Sequence, residues 1–271
     1  MFRLRHIDSL HLPELEPYRS MSWQQEHRKR GIFVSEGEKV VRRLLESDLT
    51  IHSLLIPKDL LPDFEPALQR RPEMVEVYLA KKALLEELTG FNLYQGVLGL
   101  AQVPATATLP EILTIIPQPF LITVIEGVSN AENMGALIRN CAAFGVKAVC
   151  ITPGSCSPYL RRAVRNSMGA IFKMKVVEAT DVIATLRVLK SHEIQTVAAH
   201  PHATGPALSG IDFRRSTCLV FGSEGHGLEA QTLAACDLAV AIPMQQEIDS
   251  LNVGTSAAVF LYEVARQRGL A

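Results

Sequence analysis

The sequence has no long hydrophobic run. None of its apolar stretches approaches the roughly 18 consecutive residues of a membrane-spanning helix, so no membrane partner is expected. The first residues, MFRLRHIDSLHL, lack the apolar core and small-residue cleavage site of a secretory leader, and the expected compartment is the cytoplasm. Cysteine is scarce and unpatterned. Cys141, Cys150, Cys156, Cys218 and Cys236 form no CxxC pair and are odd in number, which argues against a disulfide framework or a thiolate zinc site. Most stand in apolar runs, where a free thiol acts as a small hydrophobe. His200 and His202 flank a proline, but no acidic or cysteine ligand stands at helical spacing from them, and no metal is expected. Phosphate-loop signatures are missing too: neither GxxxxGK[ST] nor GxGxxG occurs, which removes support for nucleoside triphosphate and ordinary dinucleotide binding. The net charge of −1 gives no global field to draw the protein onto nucleic acid. Such binding must come from local patches, and two exist: His27, Arg28, Lys29 and Arg30 with Arg42 and Arg43, and Arg161 and Arg162 with Arg165. On charge alone each is equally a solvated helix face.

What is present is material for one or two α/β domains. With 271 residues, 48% of them hydrophobic and 20% charged, the chain has ample substance for a core. The first hundred residues alternate helical and extended patterns: a helix over Leu15–Arg30, a short apolar run at Ile32–Val34, a helix from Ser35 through Leu45, strands at Ile51–Ile56 and Met74–Leu79, a helix over Lys81–Leu88, and a strand at Gln95–Gln102. This small domain is assigned to residues 1–103. The Pro/Thr/Ala stretch Val103–Pro110 reads as linker, and residues 104–118 form the linker and entry to a second domain at 119–271. There the spacing predicts strands at 120–125, 146–152, 194–199, 217–222 and 238–242, alternating with helices at 134–144, 158–168, 181–191, 227–235 and 251–267. Apolar strands alternating with helices imply a mostly parallel sheet covered on both faces, with ligands at the carboxyl ends of its strands.

Three loops follow such strands. Phe120–Ile125 runs into a polar loop and then into a helix ending at Gly145, almost wholly apolar apart from Arg139 and Asn140. An arginine on a helix expected to be buried is costly unless something pairs with it. The second loop, Gly222-Ser223-Glu224-Gly225-His226-Gly227, is glycine-rich, and many such loops only turn a strand into a helix. The third, Pro243–Asn252, places Ser250 and Asn252 before an apolar terminal helix, where both are natural caps. That helix is expected to lie buried or against another subunit.

Together the segments Asn133-x-Gly135-x-x-x-Arg139, Leu219-Val220-Phe221-Gly222-x-Glu224-Gly225-x-Gly227-Leu228 and Ile242-Pro243-Met244 through Ser250-Leu251-Asn252-Val253 resemble, in order and context, the three motifs of the SpoU (TrmH-type) branch of the SPOUT RNA methyltransferases. The segments IFVSEGEKVVRRLLES and LTGFNLYQGVLGLA resemble the substrate-binding domain of many members, so the likeness covers nearly the whole chain. Two departures stand out: Val128-Ser129 precede Asn130 where members often have Asp-Pro, and Asn252-Val253-Gly254 replaces a frequent Asn-Val-Ser.

The resemblance implies an L30e-like α/β domain followed by a mostly parallel sheet threaded into a trefoil knot. It implies S-adenosylmethionine as methyl donor, bound mainly by main-chain groups at Gly222, Ile242 and Leu251, with Phe221 and Met244 beside them. The reaction implied is methylation of a ribose 2′-hydroxyl in RNA. Arg139 would be the favoured catalytic residue, Asn133 would hold the loop or the ribose, Glu224 would orient Arg139 or bind near the donor, and Ser250 and Asn252 would complete the pocket. A homodimer with a shared site is implied as well. Arg28, Lys29, Arg30, Arg161, Arg162 and Arg165 would grip RNA backbone, in 23S-type rRNA or alternatively in tRNA. An RNA-binding ribosome-assembly protein without catalysis and an unrelated small-molecule α/β enzyme are the competing readings.

Overall fold

A computed structural model of the chain describes residues 1–21, 24–89, 96–245 and 248–270. In chain order the elements are β1 (Phe2–His6), α1 (Glu16–Arg19), α2 (Gln24–Arg30), β2 (Ile32–Glu36), α3 (Glu38–Leu45), β3 (Ile51–Pro57), α4 (Leu61–Gln69), β4 (Val75–Ala80), α5 (Lys82–Thr89) and β5 (Leu98–Gln102). They continue with α6 (Leu109–Ile115), β6 (Leu121–Ile125), α7 (Ala131–Ala143), β7 (Ala148–Ile151), α8 (Arg161–Asn166), β8 (Lys175–Glu178), α9 (Val182–Ser191), β9 (Gln195–Ala199), β10 (Thr217–Phe221), α10 (Ala230–Ala235), β11 (Leu238–Val240) and α11 (Val253–Gln267). Residues 90–95 of the LTGFNLYQ segment, with the start of the strand expected at Gln95, lie outside the described residues, as do residues 246–247 of the third loop.

Two units result: Met1–Pro104 with Tyr159–Phe172, and Ala105–Pro158 with Lys173–Ala271. In the first, the sheet runs β1-β4-β3-β5-β2, with β1, β4 and β3 parallel and β5 antiparallel to both β3 and β2. The edge strand β1 was not expected from its pattern, because its side chains beyond Phe2 are exposed, with Arg3 and Arg5 among them. Helix α4 was missed as well. Pro62 sits in its first turn, where a missing N–H costs little, and the helix buries Phe64 and Leu68. Helix α8 belongs to this unit: Arg161 and Arg165 converge on the Glu36 carboxylate, the Arg165 contact at 2.9 Å, and the Glu36 side chain is 3% exposed. Nothing local in the sequence marks a pairing across more than a hundred residues.

The second unit is built on an all-parallel sheet in the order β11-β9-β10-β6-β7-β8. Its strands read as continuous apolar runs because helices cover both faces, and Ile122, Val124, Cys150, Cys218 and Val220 are fully buried. The edge strand β8, only four residues long, escaped the pattern, as did α6 inside the expected linker. There Thr108 and Glu111 form a reciprocal capping box, and Leu109 and Ile112 are buried. Strand order reverses between β6 and β10, the place where open parallel sheets bind ligands.

Helix α7 starts three residues before its expected start, since Asn130 accepts from the Glu132 and Asn133 N–H groups at 2.8 and 3.2 Å. It is not buried all round. Met134, Leu137, Ile138 and Cys141 face inward, whereas Glu132, Arg139, Ala142 and Ala143 are exposed in the single chain. The inner face meets α11 at close range. A Cβ on Gly254 would lie 3.1 Å from the Ala136 methyl, and the Asn140 side-chain amide donates to the Gly254 carbonyl at 2.7 Å. Gly254→Ser is therefore expected to cost about 1–2 kcal/mol of unfolding free energy in urea, and Ala136→Gly in the same chain should recover part of it.

The five cysteines are free, and burial pushes the thiols of Cys141, Cys150 and Cys236 up to about 12 and that of Cys156 up to about 11. A raised pKa removes the reactive thiolate at neutral pH. Iodoacetamide at pH 8 should leave the native protein unmodified by mass spectrometry, with labelling appearing only in denaturant.

Candidate active site

The loops that follow β6, β9, β10 and β11 meet at the carboxyl ends of the second sheet. Between three of them lies a cleft of about 260 Å³. Phe221, Gly222, Ile242, Met244 and Leu251, the five residues expected to contact a donor, all line it, together with Glu224 and Ser250. Its walls are apolar where Phe221, Val240 and Phe260 contribute, and the Phe221 and Phe260 rings meet edge to face at 6.0 Å.

The glycine loop is held shut at its base. Ser223 and Gly227 exchange backbone hydrogen bonds at 3.0 Å in both directions. A Cβ on Gly222 would come within 2.3–2.5 Å of the Gly227 carbonyl group and the Leu228 nitrogen, so only glycine admits this close approach.

A second cluster borders the cleft through Glu224 and centres on Asn252, which, like Asn133, is not among the lining residues. Its Oδ1 caps α11, accepting from Gly254 at 2.9 Å and Thr255 at 3.4 Å. Its Nδ2 donates to Asn133 Oδ1 at 3.0 Å and to Glu224 Oε1 at 2.8 Å. One carboxamide thus joins residues from all three motifs. Of the two roles expected for Glu224, its carboxylate is bonded to Asn252 and not to Arg139, while its place in the cleft lining is compatible with the other, a position near the donor. Arg139, six residues beyond Asn133 on the same helix, is exposed and makes no hydrogen bond or ion pair among the described residues. Ser250 lines the cleft as an exposed residue and likewise makes no hydrogen bond.

The expected RNA contacts separate into two groups. Arg30 pairs with Glu16, and Arg161 and Arg165 with Glu36, so these charges are partly spent inside the first unit. Lys29 and Arg162 are exposed and unpaired among the described residues, whereas Arg28 is exposed but has an interaction of its own.

Sequence reasoning missed the loop after β9. Ala199, His200, Pro201 and His202 line the cleft, the two imidazoles stand edge to face at 6.0 Å, and the His200 Nδ1 is buried without a hydrogen-bond partner. The available signal was positional, since this loop too follows a strand of the parallel sheet. Among the described residues no three of His, Cys, Asp and Glu converge as a metal cluster would require.

Asn252→Ala should lose the cap and cost about 1 kcal/mol. Asn252→Asp keeps the cap but loses the donor to Asn133 and Glu224 and sets a carboxylate against Glu224, so it too is expected to be less stable than the native protein in chemical denaturation.

Comparison with known proteins places this geometry. The family model described as "SpoU rRNA Methylase family" matches residues 121–262. An uncharacterized tRNA/rRNA methyltransferase of Mycobacterium tuberculosis is 34% identical over 242 residues, covering 88% of this chain and 82% of that protein. The 23S rRNA (guanosine-2′-O-)-methyltransferase of Bordetella pertussis is 36% identical over 186 residues, covering 68% of this chain and 75% of the relative. A crystal structure of an RNA 2′-O ribose methyltransferase superposes over the full length of both chains with a TM-score of 0.80 at 29% identity. With its three motif loops gathered at one end of an all-parallel sheet, the chain belongs to the SpoU rRNA methylase family, a family of RNA 2′-O-ribose methyltransferases.

Proposed function

We propose that this protein transfers the methyl group of S-adenosylmethionine to a ribose 2′-hydroxyl of RNA, in 23S-type rRNA. The observation that carries the reading is the joining of Asn133, Glu224 and Asn252 by one side-chain amide beside a cleft lined by Gly222, Ile242 and Leu251. The residues present fit the donor. The cleft has apolar walls for an adenosine and a glycine loop with no room for a side chain. Its rim carries the carboxylates of Glu224 and Asp249 but neither lysine nor arginine, which suits a sulfonium cation. The family's trefoil knot goes with this reading, because two of the cleft-lining segments, the loop after β10 and the run from Ile242 to Leu251, would be its crossing strands.

When bound, the donor supplies an electrophilic methyl group on a positively charged sulfur. The chain's task is then to present the hydroxyl. A ribose hydroxyl is a weak nucleophile near neutral pH, and its orientation and the removal of its proton limit attack. A guanidinium does not act as a base, whereas its fork holds a phosphate and a hydroxyl in fixed relation. Arg139, exposed and unpaired in the single chain, is free for that role. Asn133, fixed by Asn252, stands on the same helix.

The preference for rRNA rests on the N-terminal domain and on the Bordetella relative, while the Mycobacterium relative leaves tRNA as the second substrate class. Lys29 and Arg162, exposed and unpaired among the described residues, would contribute a salt-dependent grip on the RNA backbone. A homodimer pairing through α7 and α11 belongs to the same reading. Ala142, Ala143 and Tyr262, the last 50% exposed, form an open face on these two helices, and a partner there would close the site around Arg139.

Arg139→Ala is expected to abolish methyl incorporation into rRNA while calorimetry still shows donor binding, and Gly222→Ala should lose donor binding itself. Full activity in Arg139→Ala overturns the mechanism, and mapping of ribose methylation in rRNA and tRNA from cells with and without the gene decides the substrate. Tyr262→Glu should shift the protein from dimer to monomer in light scattering and lower activity with it.

A further inference from the structure

One buried acid of the second unit has no part in the roles above. Glu126 stands directly after β6 and is only 9% exposed. Its backbone N–H donates to the Phe221 carbonyl at 2.9 Å, which extends the pairing of β6 with β10 by one residue. Its carboxylate reaches the other end of the same loop. Oε2 accepts the Glu229 N–H at 3.2 Å, and Oε1 accepts the Thr232 hydroxyl at 2.7 Å.

Phe221 and Glu229 bracket the loop 222–228 that carries Gly222 and Glu224 to the cleft. Glu229 stands at the N-cap of α10 without a side-chain cap bond, and Glu126 accepts its backbone N–H from the neighbouring strand, as the N3 acid of a capping box would. Burying a carboxylate is costly, and an apolar side chain would fill the same space more cheaply. What the acid adds is direction: two bonds that fix where the loop ends. The loop is rigid at its own base through Ser223 and Gly227, so its placement on the sheet depends on what holds its two ends.

We propose that Glu126 is a positioning residue for the methyl-donor loop, holding entry and exit through its backbone and its carboxylate. This rests on the reading of the cleft as the donor site. The consequence is selective. Donor affinity depends on Glu126, whereas RNA affinity does not, because the RNA contacts are carried by other residues.

The test is steady-state kinetics of the full chain with S-adenosylmethionine and rRNA, each varied in turn. Losing both bonds in Glu126→Ala should raise the KM for the donor about tenfold, with the KM for RNA unchanged within about twofold. Glu126→Gln keeps an acceptor for the Glu229 N–H and offers its amide to the Thr232 oxygen, so it should return to within about threefold of the native value. Thr232→Val removes a single bond and gives a reading should Glu126→Ala fail to fold; its expected rise is about threefold. Gln267→Ala, which frees the Phe213 N–H and the Ile211 carbonyl at the far end of α11, serves as a destabilised control with native donor KM. Equal rises in both KM values, a Gln variant no better than Ala, an unchanged Thr232→Val, or a control that raises the donor KM as much would each overturn the proposal. Failure of the native protein to bind S-adenosylmethionine in calorimetry would instead overturn the donor reading itself.

Discussion

The site depends on how one short carboxamide spends its three hydrogen-bonding groups. Asn252 caps α11 with its oxygen and uses its two N–H groups on Asn133 and Glu224. No other side chain does both jobs from this position. Aspartate would keep the cap and repel Glu224, serine would keep the cap and reach neither partner, and glutamine is one methylene too long for the cap geometry. The bond to Glu224 is charge-assisted and about twice as strong as a neutral one, yet its partners are exposed, so water tempers its net worth. The arrangement therefore orders the three motif loops without locking them. Arg139 is left outside that network, with its donors unpaired among the described residues.

The sheet decides why these residues meet at all. Six parallel strands put every carboxyl end on one side, and the order β11-β9-β10-β6-β7-β8 reverses next to β6. The loops of β6 and β10 are neighbours because their strands pair from Thr217 with Leu121 to Phe221 with Ile125. Glycine enters where backbone meets backbone, at Gly222, and apolar residues fill the wall behind it. On the reading proposed above, a donor in this cleft would be held chiefly through main-chain groups, which accords with the small side-chain signature of residues such as Gly222.

The buried parallel strands β6, β7, β9 and β10 were legible because strands covered on both faces read as unbroken apolar runs. All five expected donor contacts line the cleft, since their motif positions are tied to strand ends. Edge strands were not legible: β1 carries charges, and β8 offers four residues with only two buried. The exposure of Arg139 was hidden as well. Its helix is rich in alanine, and alanine reads as apolar whether it faces the core, as Ala136 does toward Gly254, or solvent, as Ala142 and Ala143 do. The partners of Glu36, Glu126 and Glu224 lie 28 to 129 residues away in sequence, and no local pattern encodes such bonds.

The departure at Gly254 has a structural reason that reaches the active site. This chain has no side chain at 254, and α11 settles against Ala136 with the space a Cβ would need already taken. Asn140 then reaches across to the Gly254 carbonyl at 2.7 Å. That carbonyl lies in the first turn of α11, two residues after Asn252, and Asn140 is the residue next to Arg139. The same contact therefore fixes the register of α7 against α11, and with it the position of Arg139 relative to the amide that joins Asn133 and Glu224. A serine at 254 would push the two helices apart at the point where that register is set. The glycine and the asparagine form one device, and the exposed arginine beside them is placed by packing rather than by any bond of its own.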